Sequence, residues 1–402
     1  MRLLFVHERL GALGGAEFNL GTTAVELKRR GYTLGILHGP PTGRDEAAWQ
    51  KTFSDRYFIS DKNNSHMVKE TLRHFQPDLI YVHKMADLEV IETLVESGLP
   101  LVKMVHDHDM YCMRSYKYHY LSRKICTRPA TPFCIFPCGA FVARNRGEGF
   151  PLKYVSYAKK KKEIRLNQQF NRLIAVSDYI REELLRNGFD DRKIEIHSPV
   201  PPMGDPSLRS TFSERNLIIY VGQIIRGKGV DVLLESLALI KTPFECIILG
   251  DGTHRNYCEQ LSSRLGLDKK VRFAGFVPQE ELKNYYRECT VVAVSSVWPE
   301  PFATVGTEVM RYGIPVVAFD AGGIKDWLHH GENGYLVPWM NRTEYAARLE
   351  ELLKNKTRAR ELGARGFKIV SERYDFSRYV SDLEKMFTQV LQETREPVAS
   401  AR

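Results

Sequence analysis

The chain has 402 residues, of which 43% are hydrophobic, 27% charged and 11% aromatic. That length suits about two domains, and the composition excludes collagen-like, coiled-coil and disordered chains. The formal charge is +9, but the excess is local: residues 112–172 hold fourteen Lys and Arg against Glu148 and Glu163, so this window carries +12 and the rest of the chain −3.

No run of eighteen apolar residues marks a spanning helix, and residues 1–11 lack a signal-peptide pattern, so a cytoplasmic location is the expectation. In chain order, residues 3–6 (LLFV) form a continuous apolar run, the pattern of a strand buried on both faces of a parallel sheet. The glycine-rich turn 11–17 (GALGGAE) leads into a helix to residue 30, which Gly31 stops, and then a strand at 33–38. A helix near 66–75, a strand at 79–82, a helix near 88–97 and a strand at 101–105 continue the alternation that predicts a parallel sheet covered by helices. It lapses in a Cys-, Tyr- and Arg-rich insertion, about 107–170, that ends in a polar helix from 153 to about 170. A strand at 173–176 and a helix at 178–187 then resume it.

Residues 197–206 are proline-dense and read as linker. A second series follows: strand 217–221, loop 222–229, a helix to about 240, and strands at 245–249, 271–274, 291–294 and 316–319. The prediction is α/β, with two doubly wound Rossmann-like domains facing a central cleft. The domains are 1–200 and 214–374, joined by a linker at 201–213, with a helix at 375–395 crossing back to the first. Ligands of such sheets sit at the carboxyl ends of the strands.

The loop Gly222-Gln-Ile-Ile-Arg-Gly-Lys-Gly229 joins a strand to a helix, so its amides and the cations Arg226 and Lys228 suit a diphosphate. It is neither a Walker loop nor G-x-G-x-x-G. Glu300 and Glu308 are separated by seven residues in WPEPFATVGTEVM, the first in a Pro-bracketed loop and the second on the following helix. Carboxylates in that arrangement accept hydrogen bonds from a hydroxyl-rich ligand. Trp298, Pro299, Pro301 and Phe302 form an apolar collar unsuited to a solvated acidic pair.

These residues carry a resemblance. The E-(seven residues)-E stretch, GIPVVAFDAGG and NGYLVP resemble the donor signature of the retaining glycosyltransferases of family four, which have the GT-B architecture. VGQIIRGKGVDVLLESL resembles that family's diphosphate loop, and VRFAGFVPQEEL, with Phe276 and Val277, the segment that meets the nucleotide base. GGAE resembles its N-terminal glycine loop, and VHDHD its histidine-bearing loop. The resemblance implies that Lys228 contacts the donor diphosphate, with Gly222 in the same loop, and that Glu308 holds the ribose. Glu300, with the backbone of Phe302, Ala303 and Thr304, orients the transferred sugar, which His106 also contacts. Gly14 and Gly15 let the backbone approach a phosphate. Gln223 departs from the family, which often has Arg there, and leaves open whether Arg226 supplies the missing cation. No catalytic cofactor is implied. The expected activity is transfer of a sugar from a nucleoside-diphosphate sugar to a hydroxyl of a glycan or lipid-linked acceptor, in cell-surface polysaccharide or glycolipid synthesis. The alternatives are a nucleotide-sugar epimerase or hydrolase of the same fold and a non-enzymatic anion-binding protein.

Cys112, Cys126, Cys134 and Cys138 cluster in the insertion, where a closed structural zinc site, reduced thiols or disulfides are the alternatives. The basic window is interleaved with aromatic residues such as Tyr116, Phe133, Phe141 and Tyr154. That mixture leaves a solvated basic face, an anionic acceptor and an anionic membrane surface as the readings, and disfavours nucleic acid, for which no binding module surrounds it.

Overall fold

The computed structural model describes all residues except 13, 61–62, 120, 136–137, 145–151, 202–207 and 396–402, so half of the proline-dense linker and Arg146, Glu148 and Phe150 of the insertion lie outside the described residues. The chain divides into two units, one of Met1–Lys117, Thr127–Pro201 and Phe376–Arg402, the other of Tyr118–Cys126 and Pro202–Asp375.

The first unit contains strands β1 (Arg2–His7), β2 (Thr33–His38), β3 (Asp55–Phe58), β4 (Leu79–Lys84), β5 (Leu101–Val105), β6 (Val142–Arg144), β7 (Leu152–Tyr154), β8 (Arg172–Ala175) and β9 (Ile194–Ile196). Seven of them form a parallel sheet in the order β3-β2-β1-β4-β5-β8-β9, while β6 and β7 pair antiparallel within the insertion. The helices are α1 (Gly15–Arg29), α2 (Glu46–Thr52), α3 (Asn64–Phe75), α4 (Leu88–Glu96), α5 (Tyr157–Asn167) and α6 (Asp178–Arg186). Leu3, Leu4, Phe5 and Val6 are fully buried, as the continuous apolar run requires. Register is direct, Leu3 opposite Leu34 on one side and Leu79 on the other.

The second unit contains β10 (Leu217–Val221), β11 (Glu245–Leu249), β12 (Val271–Gly275), β13 (Cys289–Val294), β14 (Val316–Phe319) and β15 (Gly334–Val337). They form a parallel sheet in the order β12-β11-β10-β13-β14-β15. Its helices are α7 (Val230–Leu237), α8 (Arg255–Arg264), α9 (Gln279–Tyr286), α10 (Thr304–Met310), α11 (Arg342–Lys354) and α12 (Lys356–Arg373). Ile218, Ile248, Val291 and Val317 from the strands meet Leu233, Leu237, Leu349 and Leu352 from the helices in one buried cluster. The last helix, α13 (Phe376–Arg395), returns to the first unit, where Arg30 Nη1 pairs with Glu384 Oε2 at 2.6 Å and the buried Tyr379 hydroxyl meets Asn19.

Both sheets share one strand order, which reverses between β1 and β4 in the first and between β10 and β13 in the second. Loops leaving the carboxyl ends of those strand pairs flank a crevice where ligands bind in doubly wound folds.

The +12 window is less bare than its composition implies. Lys117 is buried against Glu183 at 2.7 Å, Lys162 meets Glu92 at 2.8 Å, and Arg172 meets Glu393 at 2.8 Å. Within the second unit Arg123 forks onto Asp231. These acids lie outside the window, so part of its charge is neutralised where it sits. Glu163, inside it, is buried against Lys160.

Candidate active site

In the second unit β10 ends at Val221 and runs into the loop Gly222–Gly229, and β13 ends at Val294 and runs into residues 295–303. Because β10 and β13 are neighbours at the reversal, the two loops are clamped together. The amides of Val297 and Trp298 donate to the Gly227 carbonyl at 2.9 and 3.1 Å, and Ser295 Oγ donates to the Lys228 carbonyl at 3.0 Å. Gly229 has φ +65° and caps α7, and a Cβ there would run into the Ser295 carbonyl, so only glycine allows this approach. Gly227 is constrained less severely, since a Cβ would sit 3.1 Å from the Trp298 ring.

This clamp brings Lys228 and Glu300 together. Glu300 is 3% exposed, and its Oε1 accepts from Lys228 Nζ at 2.7 Å, from the Trp298 indole N–H at 2.8 Å and from the Ser296 hydroxyl. Burial alone would raise its pKa; the ammonium and the three donors outweigh it and hold the carboxyl below its usual range. Its backbone is fixed by the 321–323 turn, the Glu300 amide donating to Ala321 and the Gly323 amide to the Glu300 carbonyl. Lys228 Nζ also lies 5.3 Å from the centre of the Trp298 ring. The cation assigned to the diphosphate and the carboxylate assigned to the sugar are therefore partners of each other here.

Glu308 lies about one turn into α10, in a different setting. Its Oε1 accepts from the Tyr286 hydroxyl at 3.2 Å, and burial raises its pKa despite that bond. Ala303 adopts a left-handed φ of +63° before Thr304 starts α10, and the Phe302 carbonyl accepts from the Trp327 indole at 2.6 Å. Gly306 leaves room for that same ring. Gly222 opens the loop and Arg226 starts its short helical turn Arg226–Lys228, while the Gln223 carbonyl accepts from the Tyr220 hydroxyl at 3.0 Å. Phe276 and Val277 follow the end of β12, where the Phe276 ring is 60% exposed.

In the first unit, Gly14 caps α1 and precedes Gly15 at its start, both exposed, while Glu17 in the first turn of α1 is buried 3.6 Å from His7 Nε2. His106 follows β5, and its Nε2 shares a 2.8 Å hydrogen bond with His83 Nδ1, the rings stacked at 5.1 Å. Burial, with lesser pushes from His7 and Lys84, lowers the His106 pKa to about 3, and burial lowers that of His7 to about 4. Both are neutral bases at pH 7. Lys84 pairs with Asp109 at 2.8 Å and Asp107 at 3.1 Å beside them.

Sequence reasoning missed His83, Ser296, Tyr286 and the polar role of Trp298. A signal for His83 was present: β1, β4 and β5 are adjacent, and FVHE, YVHK and MVHD each place a Val-His step at a strand's carboxyl end. The four insertion cysteines are half-buried, and among the described residues no three His, Cys, Asp or Glu side chains are grouped to hold a metal. Cys112, Cys134 and Cys138 belong to the first unit and Cys126 to the second.

Comparison with known proteins supplies the family. Residues 13–199 match the Glycosyltransferase Family 4 profile, and residues 209–369 match the profile of Glycosyl transferases group 1. Similar curated proteins include an uncharacterized glycosyltransferase of Methanocaldococcus jannaschii, 33% identical over 35% of this chain and 37% of its own. A D-inositol 3-phosphate glycosyltransferase of Thermobispora bispora is 27% identical over 51% and 50%. The chain thus covers less than two thirds of the length of the first curated relatives, at 37%, 48% and 60%. Among solved structures, Anabaena HepE in complex with UDP superposes with a TM-score of 0.75 at 19% identity, over 97% of this chain and 100% of that one. The lipopolysaccharide outer core galactosyltransferase WaaB superposes at 0.68 and 17%, over 97% and 100%. These likenesses establish the two-Rossmann GT-B fold. With the two profiles matched end to end along most of its length, the chain belongs to the GT-B glycosyltransferases, its first unit carrying the Glycosyltransferase Family 4 domain and its second the group 1 domain.

Proposed function

We propose that the chain is a retaining glycosyltransferase that moves a sugar from a nucleoside-diphosphate sugar to a hydroxyl of a glycan or lipid-linked acceptor in cell-surface polysaccharide or glycolipid synthesis. The observation that carries this is the buried, ionised Glu300 held by Lys228 where the strand order of the second sheet reverses. Structures with UDP and glucose in HepE, and the galactosyltransferase named above, support the donor class.

In this reading the departing diphosphate gathers charge in the transition state and meets Lys228, Arg226 and the amides of the 222–229 loop. One such donor contributes about 3 to 4 kcal/mol to lowering the barrier. Glu308 takes the ribose hydroxyls, Phe276 and Val277 meet the base, and Glu300 takes hydroxyls of the transferred sugar. Gly14, Gly15 and His106 keep the roles that the family resemblance gives them. Retention follows if the acceptor hydroxyl attacks from the face the nucleotide leaves, so no side chain is asked to form a covalent intermediate.

The test is incubation with a panel of nucleotide sugars, with and without lipid extracts, followed by assignment of the product anomer by NMR. Transfer that needs acceptor and keeps the anomer is expected. Release of free sugar without acceptor, an inverted anomer, or unchanged transfer by Lys228→Ala and Glu308→Ala would each refute a stated part of the reading.

The same proposal places the enzyme on the cytoplasmic face of a membrane through the insertion, where Phe133 and Tyr154 are 75% and 74% exposed and Lys159, Lys161 and Arg165 project from α5. Each basic residue near anionic lipid contributes about 1 kcal/mol. Among the described residues no helix is long and apolar enough to cross a membrane. Co-sedimentation with anionic vesicles that falls with salt is expected, and equal recovery with neutral vesicles contradicts it.

A further inference from the structure

Lys228 has two claims on it. In the structure its ammonium neutralises Glu300, whereas in the proposed reaction it faces the diphosphate. A carboxylate that is 3% exposed needs donors that do not leave with the cation. Two are in place. The Trp298 indole N–H donates to Oε1 at 2.8 Å, and the Ser296 hydroxyl donates to the same oxygen. None of these bonds uses Oε2.

Both donors sit on rigid backbone. Ser296 follows the end of β13, and the Trp298 amide is tied to the Gly227 carbonyl. The Trp298 ring rests against Gly227 and lies under the Lys228 ammonium, so a single side chain touches the anion, the cation and the glycine turn between them. Ring and indole N–H are separable in function: the ring fills the space beside Gly227, which Phe could also do, but only the N–H addresses the carboxylate.

We propose that Trp298 and Ser296 are positioning residues that hold Oε1 of Glu300 independently of Lys228 and so aim Oε2 at the ligand. The inference rests on the donor-site reading for its consequence in catalysis, but not for its physical content. The local electrostatics agree, since both bonds help to keep Glu300 ionised against its burial.

The experiment has a ligand-free arm and a ligand arm. In the first, acid unfolding of the full chain is followed for wild type, Trp298→Phe and Ser296→Ala, and again with each in the Glu300→Gln background. If the two residues act on the carboxylate, each substitution moves the acid midpoint to higher pH, and the displacement shrinks markedly once Glu300 is Gln, which accepts the same bonds without a charge. The same displacement in both backgrounds would mean that the residues merely pack, and would overturn the proposal. In the second arm, calorimetry with UDP-glucose from pH 4 to 8 should show Trp298→Phe weakening binding roughly 10- to 100-fold, the range expected for one hydrogen bond to a charged acceptor. Its acid limb should lie at higher pH than in wild type. Unchanged affinity and limb in Trp298→Phe overturn the positioning role. If Glu300→Gln leaves UDP-glucose binding unchanged, or wild type binds none, the donor reading fails for this sugar, and the ligand-free arm then decides the positioning role.

Discussion

Removing the cation from the Lys228–Glu300 pair tests the electrostatics of the site without any substrate. The Glu300 side chain is 4% exposed and that of Lys228 is 25% exposed. Lys228→Met keeps the aliphatic stem over the Trp298 ring but leaves a buried carboxylate with only two neutral donors. A hydrogen bond to a charged group contributes about 1.5 to 3 kcal/mol, and stripping one partner from a fully buried pair costs about 3 to 5 kcal/mol. The partial exposure of Lys228 favours the lower figure, so a loss of about 2 kcal/mol is expected at pH 7. For a unit of this size that corresponds to roughly 4 to 8 °C in Tm. Glu300→Gln keeps an acceptor for Ser296 and Trp298 and should cost less. The double variant should then be more stable than the sum of the single losses predicts, by about 1 kcal/mol or more. The pH dependence has a definite sign. Glu300 has a depressed pKa in the folded chain, so its contribution is present above its ordinary value near 4.5 and is lost as pH falls through the lower folded value. Wild type and Lys228→Met should therefore converge as the pH drops below about 4. Scanning calorimetry of the four ligand-free proteins at several pH values provides the measurement. Strict additivity, with a gap independent of pH, would refute the assignment of Glu300 as a buried anion sustained by Lys228.

Two further outcomes follow from the same reasoning. His7 falls from 6.5 to about 4 on folding, chiefly through burial, so the unfolded chain binds a proton that the folded chain refuses as pH drops from 6.5 toward 4. The first unit should lose about 3 kcal/mol over that window from His7 alone, with His83 and His106 adding in the same direction; denaturant midpoints that stay flat across it would contradict neutral, buried imidazoles. Gly229→Ala should lose donor binding and at least about 2 kcal/mol of stability, because it adds a left-handed alanine to a clash with the Ser295 carbonyl. Calorimetry with UDP-glucose beside a thermal scan measures both, and an unperturbed variant would mean that the clamp between the two loops is loose.

Much of the fold was legible because a parallel sheet writes its inner strands as unbroken apolar runs. LLFV, LIIY and VVAF are each buried on both faces. The strands that escaped notice are short and peripheral. β3 reads DRYF with alternate residues exposed, and β9 reads IEI with one buried residue; both lie at the edges of the first sheet, where one side of the strand is wet and no continuous run can form, while β15, which ends the second sheet, reads GYLV, a mostly buried run of four that opens on glycine and is too short to stand out. The antiparallel pair β6 and β7 was hidden for a related reason: three residues apiece give no period to count.

The site was legible where a motif fixes local geometry and illegible where the fold supplies the neighbour. Glu300 and Glu308 are eight positions apart on one segment, and their spacing alone placed the second on the helix that the first precedes. Their environments differ because of residues that spacing cannot reach: Lys228 is 72 positions from Glu300 and Tyr286 is 22 from Glu308. The Lys228 contact makes Glu300 more acidic, whereas burial makes Glu308 less acidic despite the bond from Tyr286. Trp298 shows the same limit at close range. As a hydrophobic residue between Val297 and Pro299 it belonged to an apolar collar, yet its indole N–H is a donor that a buried carboxylate two residues away requires. Hydrophobicity ranks a side chain by its bulk, whereas a buried charge depends on a single polar atom. Apolar residues beside a candidate carboxylate should therefore be examined first for the hydrogen they carry.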